Sequence, residues 1–196
     1  MSSDNSVYYF NRHLTHMKKN ANHIYGIDSP ILCFTVGNGS WETLTAKETV
    51  NKVVKSKMIG VSTIMICGET HKYLKFLNSA IPILNTVMPV ILSVEGCKNL
   101  FVERMSELVS GICLEIKLPV IHQYRKTDRR YFRRVGEYRN PNAYKSNIIT
   151  LIEMIRPLQN SILKVNKELM SSSDVIDTIN FLSSYGMKTV VINDEN

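Results

Sequence analysis

Residues 117–145 concentrate the positive charge of this chain. The segment holds nine of the 24 Lys and Arg residues against two acidic residues, so its net charge (9 − 2 = +7) equals that of the whole protein. Tyr124, Tyr131 and Tyr138 recur every seven residues among the arginines. Arginine binds phosphate in a bidentate geometry and stacks on bases, and tyrosine adds stacking surface. We therefore predict that the segment binds a polyanion, either nucleic acid or a nucleotide phosphate. The predicted polyanion-binding residues are Arg125, Lys126, Arg129, Arg130, Arg133, Arg134 and Arg139.

Two other interpretations of the basic segment stay open. A run of charge is often simply a solvated extension, and a basic arm can also dock on an acidic protein surface in a larger assembly. The remainder of the chain has no net charge, so the basic character belongs to this segment and not to the fold.

The cysteines predict no metal site. They stand at positions 33, 67, 97 and 113, and their spacing matches no zinc, iron–sulfur or C-x-x-C pattern. We expect reduced and mostly buried thiols. The alternative is a noncanonical site at Cys67 and Cys97, with His71 and Glu95 nearby in sequence, but no closely spaced ligand pair supports it.

Short apolar segments alternate with amphipathic ones from residue 27 onward. They predict strands at 31–36, 62–67, 89–94, 111–116, 162–166 and 189–192, each followed by a helix except the last. This alternation is typical of a parallel sheet with right-handed crossovers, in an open sheet or an incomplete barrel. In both architectures the loops after the strands form the functional face.

The length and composition predict one domain with a core of its own. The chain has 196 residues, of which 44% are hydrophobic. We expect an N-terminal helix or arm at residues 1–26 and a single α/β domain at 27–196, with a basic insertion at about 117–145. No apolar run reaches the roughly 18 residues of a membrane span, and the polar start does not resemble a signal peptide. The expected location is therefore the cytoplasm, or the host-cell cytoplasm for a viral protein, without a membrane partner.

Three strand ends in succession resemble those of radical S-adenosylmethionine enzymes. The sequence TIMICGET at 63–70 resembles their strand that ends in GGEP, SVEG at 93–96 stands where they have TNG, and LEIKLP at 114–119 resembles their D-x-K-x-P. The order and spacing are similar to those of the activating enzymes of anaerobic ribonucleotide reductase and the 7-carboxy-7-deazaguanine synthases. The resemblance covers about residues 27–192 and implies a partial (β/α)6 barrel of six mainly parallel strands.

The motif that holds the iron–sulfur cluster of this family is missing. The family has C-x-x-x-C-x-x-C in the loop after the first strand, where this chain reads GNGSWETLTAKE without a cysteine. Three thiolates are needed to hold a [4Fe-4S] cluster with one free iron, so we expect no cluster and no radical catalysis. We expect Trp41 to lie in this loop and to cap the barrel.

The resemblance also implies a remnant ligand pocket. In the family, the residues matching Gly68 and Glu69 hold the amino group of S-adenosylmethionine, and a glutamate can do so through charge-assisted hydrogen bonds without iron. The candidate ligand-binding residues are Gly68, Glu69, Glu95, Gly96, Glu115 and Lys117. The structural alternative is a strand-end glycine beside a solvated glutamate. Glu115 and Lys117 alternate on one strand, and for them a simple ion pair is the preferred interpretation.

Together these features predict a cluster-less radical-SAM-like protein that acts by binding a polyanion or a protein partner. The protein partner could belong to a viral or phage assembly. One alternative is an enzyme or binder that acts on S-adenosylmethionine or a nucleotide-like ligand, with acid–base chemistry at Glu69, Glu95 and Lys117. The other is a nucleic-acid-binding module formed by residues 122–139. No cofactor is expected beyond a ligand of the remnant pocket.

Overall fold

The computed structural model describes residues 7–11, 16–18, 30–36, 41–68, 70–95, 99–120, 141–167 and 170–192. These residues form an α/β domain. The strands are β1 (Val7–Asn11), β2 (His16–Lys18), β3 (Ile31–Val36), β4 (Trp41–Thr45), β5 (Thr63–Gly68), β6 (Val90–Glu95), β7 (Gly111–Ile116), β8 (Ile162–Asn166) and β9 (Lys188–Ile192). The helices are α1 (Ala46–Met58), α2 (Leu74–Asn85), α3 (Asn99–Ser106), α4 (Pro141–Ile155) and α5 (Ser172–Ser183), with a 3₁₀ turn at Thr70–Tyr73.

The main sheet has seven strands in the order β2-β3-β5-β6-β7-β8-β9. The six strands β3, β5, β6, β7, β8 and β9 are parallel, and they follow one another across this sheet in the order in which they occur in the chain. The strand β2 is antiparallel to β3. Because the order never reverses, right-handed crossovers place every connecting helix on the same face of the sheet. The strands β1 and β4 form a separate antiparallel pair.

The helix-bearing face of the sheet holds the main hydrophobic core. On this face Phe34, Ile64 and Leu92 are completely buried. Each of the five helices contributes to the same cluster, through residues such as Val53, Leu77, Met105, Ile152 and Leu182. The large core therefore fixes the strands to the helices.

The opposite face, which we call the helix-free face, has a smaller cluster of its own. It consists of strand residues only: Ile31, Cys33, Met65, Ile91, Cys113 and Ile162, with Cys67 and Val190 packed against them. Because successive residues of a strand point to opposite faces, Glu115 and Lys164 lie on this side as well, in line with Cys113 and Ile162. The helix-free face thus has an apolar cluster near the amino ends of the strands, flanked by Thr63 of β5 and Lys188 of β9, and it is polar near the carboxyl ends of β6, β7 and β8.

The predicted α/β class and the six parallel strands are confirmed. Continuous apolar runs such as Ile31–Val36 are typical of strands buried on both faces of a parallel sheet, and this strand has the predicted bounds. The helix α4 begins at Pro141, and proline suits the first position of a helix. The N-cap of α5 is Ser171, and it forms a capping box with Asp174.

Two predictions for the N-terminal third are corrected, namely the helical form of the N-terminal helix or arm and the loop position of Trp41. Residues 7–11 and 16–18 are strands, not a helix, because aromatic residues such as Tyr8 favour extended backbone where a partner strand is present, and here Tyr8 pairs with Leu44. Trp41 lies not in a loop but at the start of β4, in register with Asn11.

Among the described residues, no helix has both the length and the apolar character needed to cross a membrane.

Candidate ligand-binding site at the carboxyl ends of the strands

Charged side chains lie side by side at the carboxyl end of the helix-free face. In the register of the sheet, Glu95 of β6 is the partner of Glu115 of β7, and Glu115 is the partner of Lys164 of β8. Neighbouring parallel strands are about 4.8 Å apart, so these three residues form one continuous row. The carboxyl ends of parallel strands are also where ligands bind in α/β folds.

The inner part of the row is a nearly buried ion pair. Lys164 Nζ lies 3.6 Å from Glu115 Oε2, and only 13% of each side chain is exposed. Asn166 is buried and donates from Nδ2 to Glu115 Oε1 at 3.3 Å. A carboxylate in such a setting needs its partners, because removal of one of them leaves a charge that water does not fully solvate.

The outer part of the row is a second ion pair. Lys117 Nζ donates to Glu95 Oε1 at 2.7 Å, and the side chains are 34% and 60% exposed. Exposure therefore rises from Glu115 and Lys164 to Lys117 and then to Glu95. The site has a recessed charge pair and a solvated charge pair at its rim.

Gly68 ends β5 in a backbone conformation that only glycine adopts easily. Its φ is +89°, and a Cβ at this position would overlap the carbonyl oxygen of Val36 on β3. The Oγ1 atom of the buried Thr70, two residues later, donates to the carbonyl oxygen of Ser93 at 3.1 Å. This bond ties the segment after β5 to the end of β6.

Cys113 on the helix-free face is not a reactive thiol. Burial raises the pKa of the Cys113 thiol to about 12, against the opposing effect of the Lys164 ammonium. Cys113 is therefore a neutral thiol at physiological pH and not an activated nucleophile. Cys33, Cys67 and Cys113 form no disulfide with one another.

The residues present do not fit the [4Fe-4S] cluster of the radical S-adenosylmethionine family. The connection from β3 to α1, where that family places its three cysteines, holds β4 and contains no cysteine. Within the described parts of the chain, no three His, Cys, Asp or Glu residues are grouped so that they could hold a metal ion. We therefore derive no chemistry through a cluster.

Three of the predicted ligand-binding residues come together. Glu95, Glu115 and Lys117 lie at the carboxyl ends of β6 and β7, and Gly68 ends the neighbouring β5. Glu69 and Gly96 lie outside the described residues, and so do all seven predicted polyanion-binding residues, which fall within 121–140.

One predicted contact is wrong. Glu115 pairs with Lys164 and not with Lys117, because Lys164 is its register partner on the next strand. The strand β7 ends at Ile116, and Lys117 contacts Glu95 instead.

The end of the basic segment is part of the folded domain. Lys145 lies on α4, with its Nζ 5.1 Å from the centre of the Phe181 ring on α5. Lys117 pairs with Glu95, so both of the basic residues of 117–145 that the structure describes make contacts within the domain.

Sequence reasoning missed Lys164 and Asn166. A usable signal exists in the strand sequence ILKVN at 162–166, where a lysine and an asparagine alternate with buried apolar residues. Polar residues at alternate positions of a strand lie on one face, so their presence in an otherwise apolar strand indicates a polar site on that face.

Comparison of the sequence with models of known families and with curated proteins gave no match. The resemblance to radical S-adenosylmethionine enzymes accordingly depends on the three strand-end motifs alone.

Proposed function

We propose that this protein is a cluster-less relative of radical S-adenosylmethionine enzymes that binds a zwitterionic small molecule, with S-adenosylmethionine as the leading candidate. In this proposal the six parallel strands form the partial barrel of that family, and the ligand lies at their carboxyl ends. In this proposal the protein acts in the cytoplasm. It acts by binding, because the loop that would hold the cluster has no thiolate.

One observation supports this proposal above the others: Glu95 and Glu115 are register partners, and each has a lysine of its own. Two neighbouring carboxylates form a natural site for one cation, such as an amine or a sulfonium. Lys117 and Lys164 flank them and can attract a carboxylate of the same ligand. The arrangement is complementary to a molecule with both charges close together.

The degree of exposure suits a ligand that enters from the carboxyl end. The rim pair of Glu95 and Lys117 is accessible to solvent, whereas Glu115 and Lys164 retain 13% exposure. Charge-assisted hydrogen bonds are stronger where water is excluded. We expect Glu115 and Lys164 to give most of the affinity, and the rim pair to orient the ligand on entry.

The test is titration calorimetry of the full chain with S-adenosylmethionine. We expect saturable binding that weakens about tenfold or more in Glu115→Gln, since a hydrogen bond to a charged group contributes about that much in affinity. Methionine, which has only the zwitterionic part, should compete, and 5′-methylthioadenosine, which lacks it, should compete poorly. Circular dichroism of each variant confirms that the fold is retained.

A matched control is available on α3. The double variant Glu103→Gln with Arg104→Met removes one exposed charge of each sign away from the strand ends, and it should leave affinity unchanged. Absence of saturable binding to the wild-type protein, or equal binding by Glu115→Gln, would contradict the proposed site.

A second candidate function is polyanion binding by the basic segment. The observation that favours it is the segregation of charge, because the whole net charge of +7 lies in residues 117–145. A single-sign cluster of this kind attracts phosphates through long-range electrostatics and counterion release.

Gel-shift titrations at several salt concentrations test this second function. Replacement of Arg129, Arg130, Arg133 and Arg134 by alanine should weaken binding to single-stranded DNA or RNA and reduce the slope of log affinity against log salt, because fewer phosphates are contacted. The matched control replaces four exposed lysines of the domain, Lys55, Lys57, Lys75 and Lys167. Equal loss of binding in the control would show that binding depends on total charge and not on the basic segment. A wild-type protein without salt-dependent binding would count against nucleic acid and favour a protein partner.

A further inference from the structure

A second concave region lies at the opposite end of the sheet, near the amino ends of the strands. It is a groove of about 540 Å³, within the usual range for small-molecule sites. Its floor includes Thr63 of β5, Ile91 of β6, Ile162 of β8 and Lys188 of β9. These positions lie on the helix-free face, so the groove and the candidate ligand-binding site occupy opposite ends of one face.

Two cations line this groove, Arg156 and Lys188, and both are exposed. Among the described residues no acidic side chain lines it, and neither cation is in an ion pair. A guanidinium beside an ammonium suits a phosphate or a carboxylate, which the guanidinium can bind in a bidentate geometry.

The lining also includes apolar and aromatic side chains beside polar ones such as Thr63 and Gln159. Leu158, Tyr185 and Met187 are half-buried in it. The Tyr185 ring packs edge-on against Phe181, with 5.4 Å between the ring centres, and this contact limits its orientation. A flat organic group can therefore pack beside the cations.

One wall of the groove, residues 158–161, is held in a fixed position. The Asn160 backbone N–H donates to the Ser110 carbonyl at 3.3 Å, and the Ile112 N–H donates to Ser161 Oγ at 3.0 Å. Gly111 permits this approach, because a Cβ there would overlap the Asn160 backbone. Because this wall is already ordered, less conformational entropy is lost when a ligand binds.

We propose that this groove is a second binding site, for a small organic anion in which a phosphate or carboxylate is attached to a planar group. The anion lies between Arg156 and Lys188, and the planar group packs near Tyr185. The inference is independent of the proposed function, since the two sites share no residue.

The experiment is calorimetric titration of the full chain with AMP, with adenosine and with inorganic phosphate as the two separate parts of the probe. We expect AMP to bind more tightly than either part. The double variant Arg156→Ala/Lys188→Ala should weaken AMP about tenfold or more and adenosine by less than about twofold, because only the anionic contact is lost.

Two control proteins locate the effect. Lys75→Ala/Arg104→Ala removes the same charge from exposed positions of α2 and α3 and should bind AMP as the wild type does. The quadruple alanine variant of Arg129, Arg130, Arg133 and Arg134 tests the alternative that AMP binds to the basic segment, because loss of AMP binding in this variant would assign the nucleotide to that segment. The proposal is overturned if AMP does not bind saturably, if Arg156→Ala/Lys188→Ala binds it normally, or if either control loses it. Failure of S-adenosylmethionine binding at the carboxyl ends would leave this result unaffected.

Discussion

Glu95 and Glu115 lie directly opposite each other on neighbouring parallel strands, and their carboxylates are neutralised by two different lysines. Like charges at paired positions of a sheet destabilise it, so each carboxylate depends on its own cation. The cation of Glu95 comes from the end of β7, whereas that of Glu115 comes from the next strand. The row is therefore two ion pairs side by side with different degrees of burial.

This difference in burial predicts unequal effects on stability. Lys164→Met leaves the recessed Glu115 carboxylate with Asn166 as its remaining partner, and we expect a loss of about 2–3 kcal/mol in the free energy of unfolding. Lys117→Met at the exposed pair should cost less than about 1 kcal/mol. Urea denaturation of both variants measures the difference.

The double variant Glu115→Gln/Lys164→Met is the control for this prediction. It removes the unpaired charge along with its partner, so it should recover most of the stability lost in Lys164→Met. Similar small losses in Lys164→Met and Lys117→Met would mean that Glu115 is better solvated than its 13% exposure indicates.

The sequence contained most of the information for the sheet. Continuous apolar runs gave β3 and β7 with their exact bounds, because a parallel strand covered on both faces has no polar alternation. The aromatic cluster at residues 8–10 was ambiguous, since its spacing fits a helix and its residue types fit a strand. Its pairing with β4, which begins 30 residues after β1 ends, decided between them.

The candidate site was predictable only in part. Glu95, Glu115 and Lys117 could be predicted as neighbours from the positions of the strand ends, because the carboxyl ends of parallel strands lie at the same edge of the sheet. The pairing of Glu115 with Lys164 depends on the register between β7 and β8. A 45-residue connection, 117–161, separates these strands, and periodicity within each strand does not specify the register between them.

Gly68 offers a test of backbone geometry with a matched control in the same chain. Gly68 and Gly60 have φ values of +89° and +92°, but only at Gly68 would a Cβ overlap another residue. We expect Gly60→Ala to cost about 1–2 kcal/mol from the backbone conformation alone. Gly68→Ala should cost clearly more, because the Val36 carbonyl must also move.

Thermal or urea unfolding of the two glycine variants gives this comparison directly. Equal losses would show that the segment between β5 and the 3₁₀ turn adjusts without cost. In that case the close approach of Gly68 to β3 would not constrain the end of β5.

The Cys113 thiol should be protected from alkylation in the native protein. With a pKa of about 12 and complete burial, it presents almost no thiolate at pH 8. We expect its labelling by iodoacetamide to be at least about 100-fold slower than in urea, where the thiol returns to an ordinary pKa. Peptide mass spectrometry quantifies each cysteine separately, and native labelling at the rate in urea would contradict the burial.

The same pKa shift predicts that stability falls in alkaline solution. In the unfolded chain the Cys113 thiol loses its proton near pH 9, whereas the folded protein keeps it up to about pH 12. Between these values the unfolded state binds fewer protons, so the free energy of unfolding decreases as the pH rises, by up to about 1.4 kcal/mol per pH unit.

Other groups also titrate in this range, and the Cys113→Ala variant corrects for them. The stability advantage of the wild type over this variant should shrink by about 1.4 kcal/mol between pH 7.5 and pH 10, as measured by urea denaturation at both values. A constant difference would show that the thiol ionises alike in the folded and unfolded states.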